Sequence, residues 1–252
     1  MSDHVDWLRA CYVEGRLIAS GRKQPRTGGI VIAIGTRAEH GGPAARGYAG
    51  VMSIALIDYG AGNLHSVENA LRAAGATDLA VTADADVVAK ADRIVLPGVG
   101  AFGACASALR AVPGMVEALD RRVRAEGAPF LGVCVGMQLM ADVGEEMGEH
   151  RGLGWMRGRV RRLEPGTMDA KVPHMGWNDV VPTGDNPLVP AGEAYFLHSY
   201  AYEGEDVIAT SDHAGPITAA IARDTMLGLQ FHPEKSQRYG LAMLERFLAW
   251  RP

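Results

Sequence analysis

The chain has 252 residues, 48% of them hydrophobic and 21% charged, ordinary proportions for a globular protein with room for one large α/β domain or a domain plus an appendage. Its net charge of -4 gives no electrostatic case for nucleic acid or an anionic membrane, and no uninterrupted apolar run approaches the length that spans a bilayer. Cys11, Cys105 and Cys134 lack any CxxC spacing, which argues against a disulfide framework and a cysteine zinc site and fits a reducing, cytoplasmic setting.

Residues 1–51 differ in texture from the rest of the chain. The stretches 20–29 and 39–47 are polar and rich in Gly and Pro, with little to bury, and only 29–35 could form a short strand. The start lacks the basic region of a secretory signal, and Asp3, Asp6 and Glu14 disfavour a mitochondrial presequence. The pattern predicts a mostly disordered N-terminal extension over 1–51, with Met52 opening a folded domain at 52–252. A small docking arm is the alternative.

From Ser53 the pattern becomes regular. Ile54–Ile57 is a continuous apolar run, as expected of a parallel strand buried on both faces, and it ends in the tight turn 58–63. Leu64, Val67, Leu71 and Ala74 then recur at helical spacing, and Gly75 closes that helix. Residues 79–82 read as a second strand, 84–90 as a short helix, and 93–96 as a third strand running into Pro97–Gly100. Helices over 101–110 and 115–126 lead into a fourth strand that ends before Cys134. Four alternations of strand and helix imply a parallel sheet with helices on both faces. Beyond them, 159–163, 195–200, 206–210, 217–222 and 225–231 read as short strands, and 238–250 as a closing amphipathic helix. One α/β domain with a mixed, mostly parallel sheet is the economical fold.

The chemistry centres on Pro129–Gln138. Apolar strand residues run into Cys134, Gly132 and Gly136 flank it at two-residue spacing, and 137–142 reads as the first turns of a helix. A sharp strand-to-helix turn crowds the backbone, so a nucleophile there needs small neighbours. Such a turn also sets the sulfur at a helix N-terminus, whose dipole favours a thiolate. Taken alone, the stretch fits a buried core cysteine as well as a nucleophile elbow. His232 tips the balance. It follows the apolar stretch 227–231 and opens His232-Pro233-Glu234, in which residues two apart in an extended segment can reach one site. Glu234 can then accept the imidazole N–H, fixing its tautomer and stabilising the imidazolium. Attack on a carbonyl also needs oxyanion donors. The N–H of Val135, next after the nucleophile, is one, and the loop Pro97–Gly100 can supply another.

Gly132-Val-Cys134-Val-Gly136-Met-Gln138 together with His232-Pro-Glu234 resembles the triad, class I glutamine amidotransferases, which share a three-layer, flavodoxin-like α/β fold. Asp58–Leu64, Pro97–Phe102 and Lys171–Asn178 narrow the resemblance to the glutaminase subunits of imidazole glycerol phosphate synthase, over about 52–251. The octapeptide 171–178 is its most specific part. Val135 stands where that family often has leucine, and the N-terminal segment has no counterpart in it.

The resemblance implies Cys134 as nucleophile, His232 and Glu234 as the rest of the triad, and Val135 and Gly100 at the oxyanion hole. It implies that Gln138, Glu146, His198, Ser199 and Tyr200 hold or border the substrate glutamine. It also implies a heterodimer with a (βα)8-barrel cyclase near 171–178 and Tyr195, and ammonia passing into that barrel to convert PRFAR to imidazole glycerol phosphate and AICAR. No cofactor and no metal enter this chemistry, and His174, His198 and His232 match no ligand spacing. Two other readings stand beside it. One is the glutaminase of another pathway, such as anthranilate or pyridoxal phosphate synthesis, against which 171–178 argues. The other is a flavodoxin-like binding protein using Gly60-x-Gly62, but His65 stands where the dinucleotide fingerprint has its third glycine.

Overall fold

The computed structural model describes residues 52–164, 166 and 170–252. The expected extension over 1–51, including the short strand considered at 29–35, lies outside the described residues. The chain runs β1 (Ser53–Ile57), α1 (Leu64–Ala73), β2 (Asp78–Thr82), α2 (Ala85–Val88), β3 (Arg93–Leu96), α3 (Phe102–Ala111) and α4 (Met115–Leu119). A π-helical segment, Asp120–Ala125, continues α4. Then come β4 (Phe130–Val133), α5 (Val135–Gln138), β5 (Ala141–Gly144), β6 (His150–Arg151), β7 (Met156–Arg162) and β8 (His174–Pro182). The last part holds β9 (Gly192–His198), β10 (Tyr200–Gly204), β11 (Val207–Asp212), β12 (Pro216–Arg223), β13 (Met226–Leu229), a 3-10 turn (Pro233–Lys235) and α6 (Gln237–Ala249).

Nine strands form one mixed sheet in the order β2-β1-β3-β4-β13-β12-β11-β8-β9. Its first five strands are parallel, and the inner ones are buried on both faces: β3, β4 and β13 carry no position in contact with bulk solvent, whereas the edge strand β2 is partly exposed. Helices α1 and α6 pack against each other, as do α4 with α2 and α3. Together they supply the covering layers that a parallel sheet requires. Phe130 of β4 meets Trp155 edge-on at 4.9 Å, and the indole N–H reaches Asp120 at 2.7 Å.

One pairing positions the chemistry. β4 and β13 lie side by side and parallel, Val133 opposite Leu229, and the Cys134 N–H continues the ladder onto the Leu229 carbonyl at 2.8 Å. The C-terminal ends of two adjacent parallel strands therefore deliver Cys134 and His232 to the same edge of the sheet.

Two expectations are corrected by the structure. The helix expected from 137 to 142 is a single turn, α5, after which β5 leaves to pair with β7. The strand expected over 195–200 is two strands, because the chain crosses at Ser199 from the large sheet to a second sheet of order β10-β7-β5-β6. That smaller sheet, and the nine-residue strand β8, were not anticipated from the sequence.

Candidate active site

The elbow at Cys134 is tight. Cys134 holds φ 53° and ψ −112°, a region that costs a non-glycine residue about 1–3 kcal/mol. The flanking glycines are required by contact: a Cβ on Gly132 would lie 2.7 Å from the Gly136 carbonyl oxygen, and one on Gly136 would run into the Leu96 carbonyl. Sγ lies between the segment that follows β13 and the end of β9, 3.8 Å from Gln230 Nε2 and 3.9 Å from the Leu197 carbonyl oxygen. Because α5 is one turn long, the macrodipole behind the sulfur is small. Its positive partner is a side chain.

That side chain is His232, which is 3% exposed. The sequence Pro233-Glu234 bends into a 3-10 turn rather than running extended, and this turn brings Glu234 back beneath the ring. His232 Nδ1 and Glu234 Oε1 stand 2.8 Å apart, and the Glu234 side chain is almost wholly buried. Burial alone would depress the imidazole. The negative sulfur of Cys134, its hydrogen bond, and the Glu234 carboxylate outweigh that and raise His232 from 6.5 to about 10. The backbone locks the group in place: the His232 N–H donates to the Tyr195 carbonyl, and Ser236 Oγ donates to the His232 carbonyl at 2.7 Å.

On the oxyanion side, Val135 and the Pro97–Gly100 loop meet directly. The Val135 N–H donates to the Gly98 carbonyl at 3.4 Å, so the loop's own oxygen occupies the donor. Both neighbouring peptides are held. Tyr59 Oη donates to the Pro97 carbonyl at 2.8 Å, and the Cys105 thiol lies 3.4 Å from the Val99 carbonyl. Burial drives the Tyr59 hydroxyl well up and the Cys105 thiol up to about 11, so both remain protonated donors. The peptide facing Val135 is thus Gly98–Val99. Gly100, at φ 102° with open space where a Cβ would stand, lies just beyond it.

The remaining expected residues divide. Gln138, 3% exposed, donates through Nε2 to the Tyr200 carbonyl at 2.9 Å and to Gln230 Oε1 at 3.0 Å. Glu146 Oε2 accepts the Phe102 N–H at 2.7 Å, supplying from a distance the cap that Ala101 lacks for α3. His198 has both ring nitrogens engaged, by His174 and by the Tyr200 carbonyl. The Ser199 carbonyl accepts from the Leu163 N–H. Sequence reasoning missed Gln230 and Tyr59. The available signal for Gln230 was a polar residue inside the apolar stretch 227–231; it is 0% exposed. A buried amide needs partners, and Gln230 finds them in Gln138 and the Cys134 sulfur.

Met175 and Trp177 of β8 are exposed, at 65% and 47%, on the face opposite His174 and Asn178. Trp177 meets Tyr195 edge-on at 6.2 Å, and Lys235 Nζ lies 5.9 Å from the centre of the Tyr195 ring. Met175 pairs across the sheet with Leu197, whose carbonyl oxygen is the one 3.9 Å from Cys134 Sγ.

The arrangement has relatives. The family model described as Glutamine amidotransferase class-I matches residues 55–250. Imidazole glycerol phosphate synthase subunit HisH of Zymomonas mobilis is 59% identical over 206 residues, which is 79% of this chain and 97% of that protein. The protein of the same name from Ruegeria pomeroyi is 51% identical over 212 residues, 80% of this chain and all of that one. Among solved structures, one described as a glutamine amidotransferase superposes with a TM-score of 0.60 at 18% identity, over 79% of this chain and 98% of that one. PurLQS from Thermotoga maritima gives 0.58 at 14% identity, over 79% and 97%. These two likenesses concern the fold.

Proposed function

Because the chain belongs to the class-I glutamine amidotransferases, among the glutaminase subunits of imidazole glycerol phosphate synthase in histidine biosynthesis, we propose that Cys134, His232 and Glu234 are its catalytic triad. The observation that carries the assignment is the buried Glu234–His232 contact beside a strained cysteine at the end of the adjacent strand.

The reaction proceeds in two halves. The Cys134 sulfur attacks the side-chain amide carbon of glutamine, and the carbonyl electrons move onto oxygen. His232, held as imidazolium by its raised pKa, gives a proton to the departing nitrogen, and ammonia leaves a thioester. The now neutral His232 takes a proton from water, which attacks the thioester and releases glutamate with the sulfur restored. Glu234 accepts the Nδ1–H and stabilises the imidazolium. Val135 supplies one oxyanion donor once the Gly98–Val99 peptide turns, and the same turn presents the Val99 N–H as the second. A resting loop that covers its own donor accounts for an enzyme that is silent until a partner docks. Gln138 and the Tyr200 strand end border the glutamine, and Glu146 secures the loop from behind.

The partner in this reading is a (βα)8-barrel cyclase seated on the face of Met175, Trp177 and Tyr195, in a cytoplasmic heterodimer. Ammonia crosses between the two without meeting solvent, where protonation would remove its lone pair, and the cyclase uses it to convert PRFAR to imidazole glycerol phosphate and AICAR. The deciding experiment pairs Cys134→Ala with the cyclase. Glutamine-dependent synthesis should disappear while synthesis from added ammonium continues. Retained glutamine-dependent turnover overturns the assignment.

A further inference from the structure

Seven residues form one unbroken hydrogen-bonded series from β8 to the sulfur. Asn178 Nδ2 is 3.0 Å from His174 Nε2; His174 Nδ1 is 3.0 Å from His198 Nε2; His198 Nδ1 is 2.9 Å from the Tyr200 carbonyl oxygen. That same oxygen accepts from Gln138 Nε2, which also donates to Gln230 Oε1, and Gln230 Nε2 faces Cys134 Sγ.

Backbone groups fix the direction of every link. The Asp179 N–H can only donate, so Asn178 Oδ1 faces it at 2.8 Å, and the Asp212 carbonyl can only accept, so Asn178 Nδ2 faces it at 2.7 Å. His174 Nε2 is then an acceptor, and the ring's proton sits on Nδ1 and passes the bond to His198. His198 Nε2 accepts in the same way, which leaves its proton on Nδ1, aimed at Tyr200. At the far end the Tyr200 carbonyl requires the nitrogen of Gln138, Gln138 requires the oxygen of Gln230, and Gln230 is left to offer an N–H to the sulfur. Both rings are buried, at 4% and 6% exposure, and burial keeps each of them neutral, as this single-file order demands.

We propose that Asn178, His174 and His198 are positioning residues for the glutaminase reaction, whose one-directional hydrogen bonds hold the Tyr200 carbonyl and, through Gln138 and Gln230, aim an N–H at the Cys134 sulfur. The proposal rests on the reading of Cys134 as the nucleophile. It also gives the exposed side of β8 a route inward. Side chains alternate along a strand, so Met175 and Trp177 point outward while His174 and Asn178 point inward. Whatever seats on the outer pair contacts the strand that carries the first two links.

The test uses the full chain, iodoacetamide labelling of Cys134, and 15N spectra of the imidazoles. In the parent both His174 and His198 should appear as the neutral Nδ1–H form. Asn178→Leu, at a half-buried site, and His198→Phe should each slow labelling about fivefold, the scale of one lost hydrogen bond. His198→Asn keeps a nitrogen where Nδ1 stood and should return labelling to within about twofold of the parent, a rescue that a purely structural role would not give. If His198→Phe fails to fold, Asn178→Leu carries the test. An Nε2–H form in either ring, or parent-like labelling in Asn178→Leu, overturns the relay. Glutamine-dependent turnover that persists in Cys134→Ala with the cyclase partner overturns instead the nucleophile assignment on which the relay depends.

Discussion

His232 Nδ1 donates to Glu234 Oε1 across 2.8 Å, and the carboxylate making that contact is 2% exposed, with Oε2 finding no hydrogen-bond partner among the described residues. A buried carboxylate with half its capacity unspent is costly, and here its charge is directed at one ring. With Nδ1 taken, Nε2 is the nitrogen left for the sulfur. Glu234→Gln can still accept the Nδ1–H through its amide oxygen, so the tautomer survives and the charge is lost. Glutamine turnover with the partner should fall about a hundredfold. The alkaline limb of kcat/KM should also move to lower pH, because part of what holds His232 at about 10 is gone. An alkaline limb at the parent position would refute the role given to Glu234.

The glycines of the elbow make a second prediction, and a third glycine provides its control. A methyl on Gly132 meets the Gly136 carbonyl oxygen at 2.7 Å, a backbone atom with no side-chain freedom to yield. Gly132→Ala should cost about 3 kcal/mol or more, the range of severe overpacking, and should abolish Cys134 labelling. Gly60, unlike the elbow glycines, has positive φ, at 81°, but no atom lies within 4 Å of its would-be Cβ. Gly60→Ala should therefore cost only the left-handed backbone penalty of about 1–2 kcal/mol and leave labelling intact. Urea unfolding of the two variants side by side would show equal losses if the elbow contact is unimportant.

Much of this site was readable in advance, for a physical reason. Strands β1, β3, β4 and β13 are buried on both faces, so their burial appears in the sequence as apolar runs, and Cys134 and His232 each sit where such a run stops. β8 hid because its inward positions include His174 and Asn178, which satisfy each other by hydrogen bonds; a strand with a polar inner face shows no apolar alternation. The single turn of α5 was over-extended because Leu139 to Asp142 suits a helix locally, whereas pairing of β5 with β7 decides the matter at long range. The break at Ser199 lies between two stretches of strand-forming residues and only the second sheet reveals it. The covered oxyanion donor depends on where the Gly98 carbonyl points, and residue identity does not encode that direction.

Tyr59 offers a test of that covered donor. Its hydroxyl, on a side chain 5% exposed, holds the Pro97 carbonyl, while Cys105 holds the Val99 carbonyl on the other side of the Gly98–Val99 peptide. Tyr59→Phe leaves the Pro97 oxygen unpaired in a buried place and should cost about 1–3 kcal/mol, seen as a lower Tm. With one clamp released, the loop should turn more readily, so glutaminase activity measured without the partner should rise relative to the parent. Loss of stability with no change in that partner-free rate would mean that the loop's resting position does not restrain the enzyme.

The histidine pair inside the relay predicts how the fold fails in acid. Burial is the main cause that lowers His174 from 6.5 to about 4 and His198 to about 3; the charge of His213 adds to it at His174, and those of His174, His232 and His213 add to it at His198. An unfolded chain takes up these protons at about 6.5, whereas the folded chain refuses them until about 4 and 3. The stability this represents is whole above about pH 6.5, erodes as the pH falls below it, and is gone once both rings ionise in the folded state near about pH 3. His232 works in the opposite direction and in another window. Its contribution is whole below 6.5 and is lost as the pH rises through about 10, so it does not confuse an acid titration. His198→Asn removes one of the two refused protons. Between about pH 6 and 4 its unfolding free energy should fall less steeply than the parent's, by up to about 1.4 kcal/mol per pH unit. Denaturant melts at several pH values give that slope directly, and identical slopes for variant and parent would show that His198 is not held neutral by the fold.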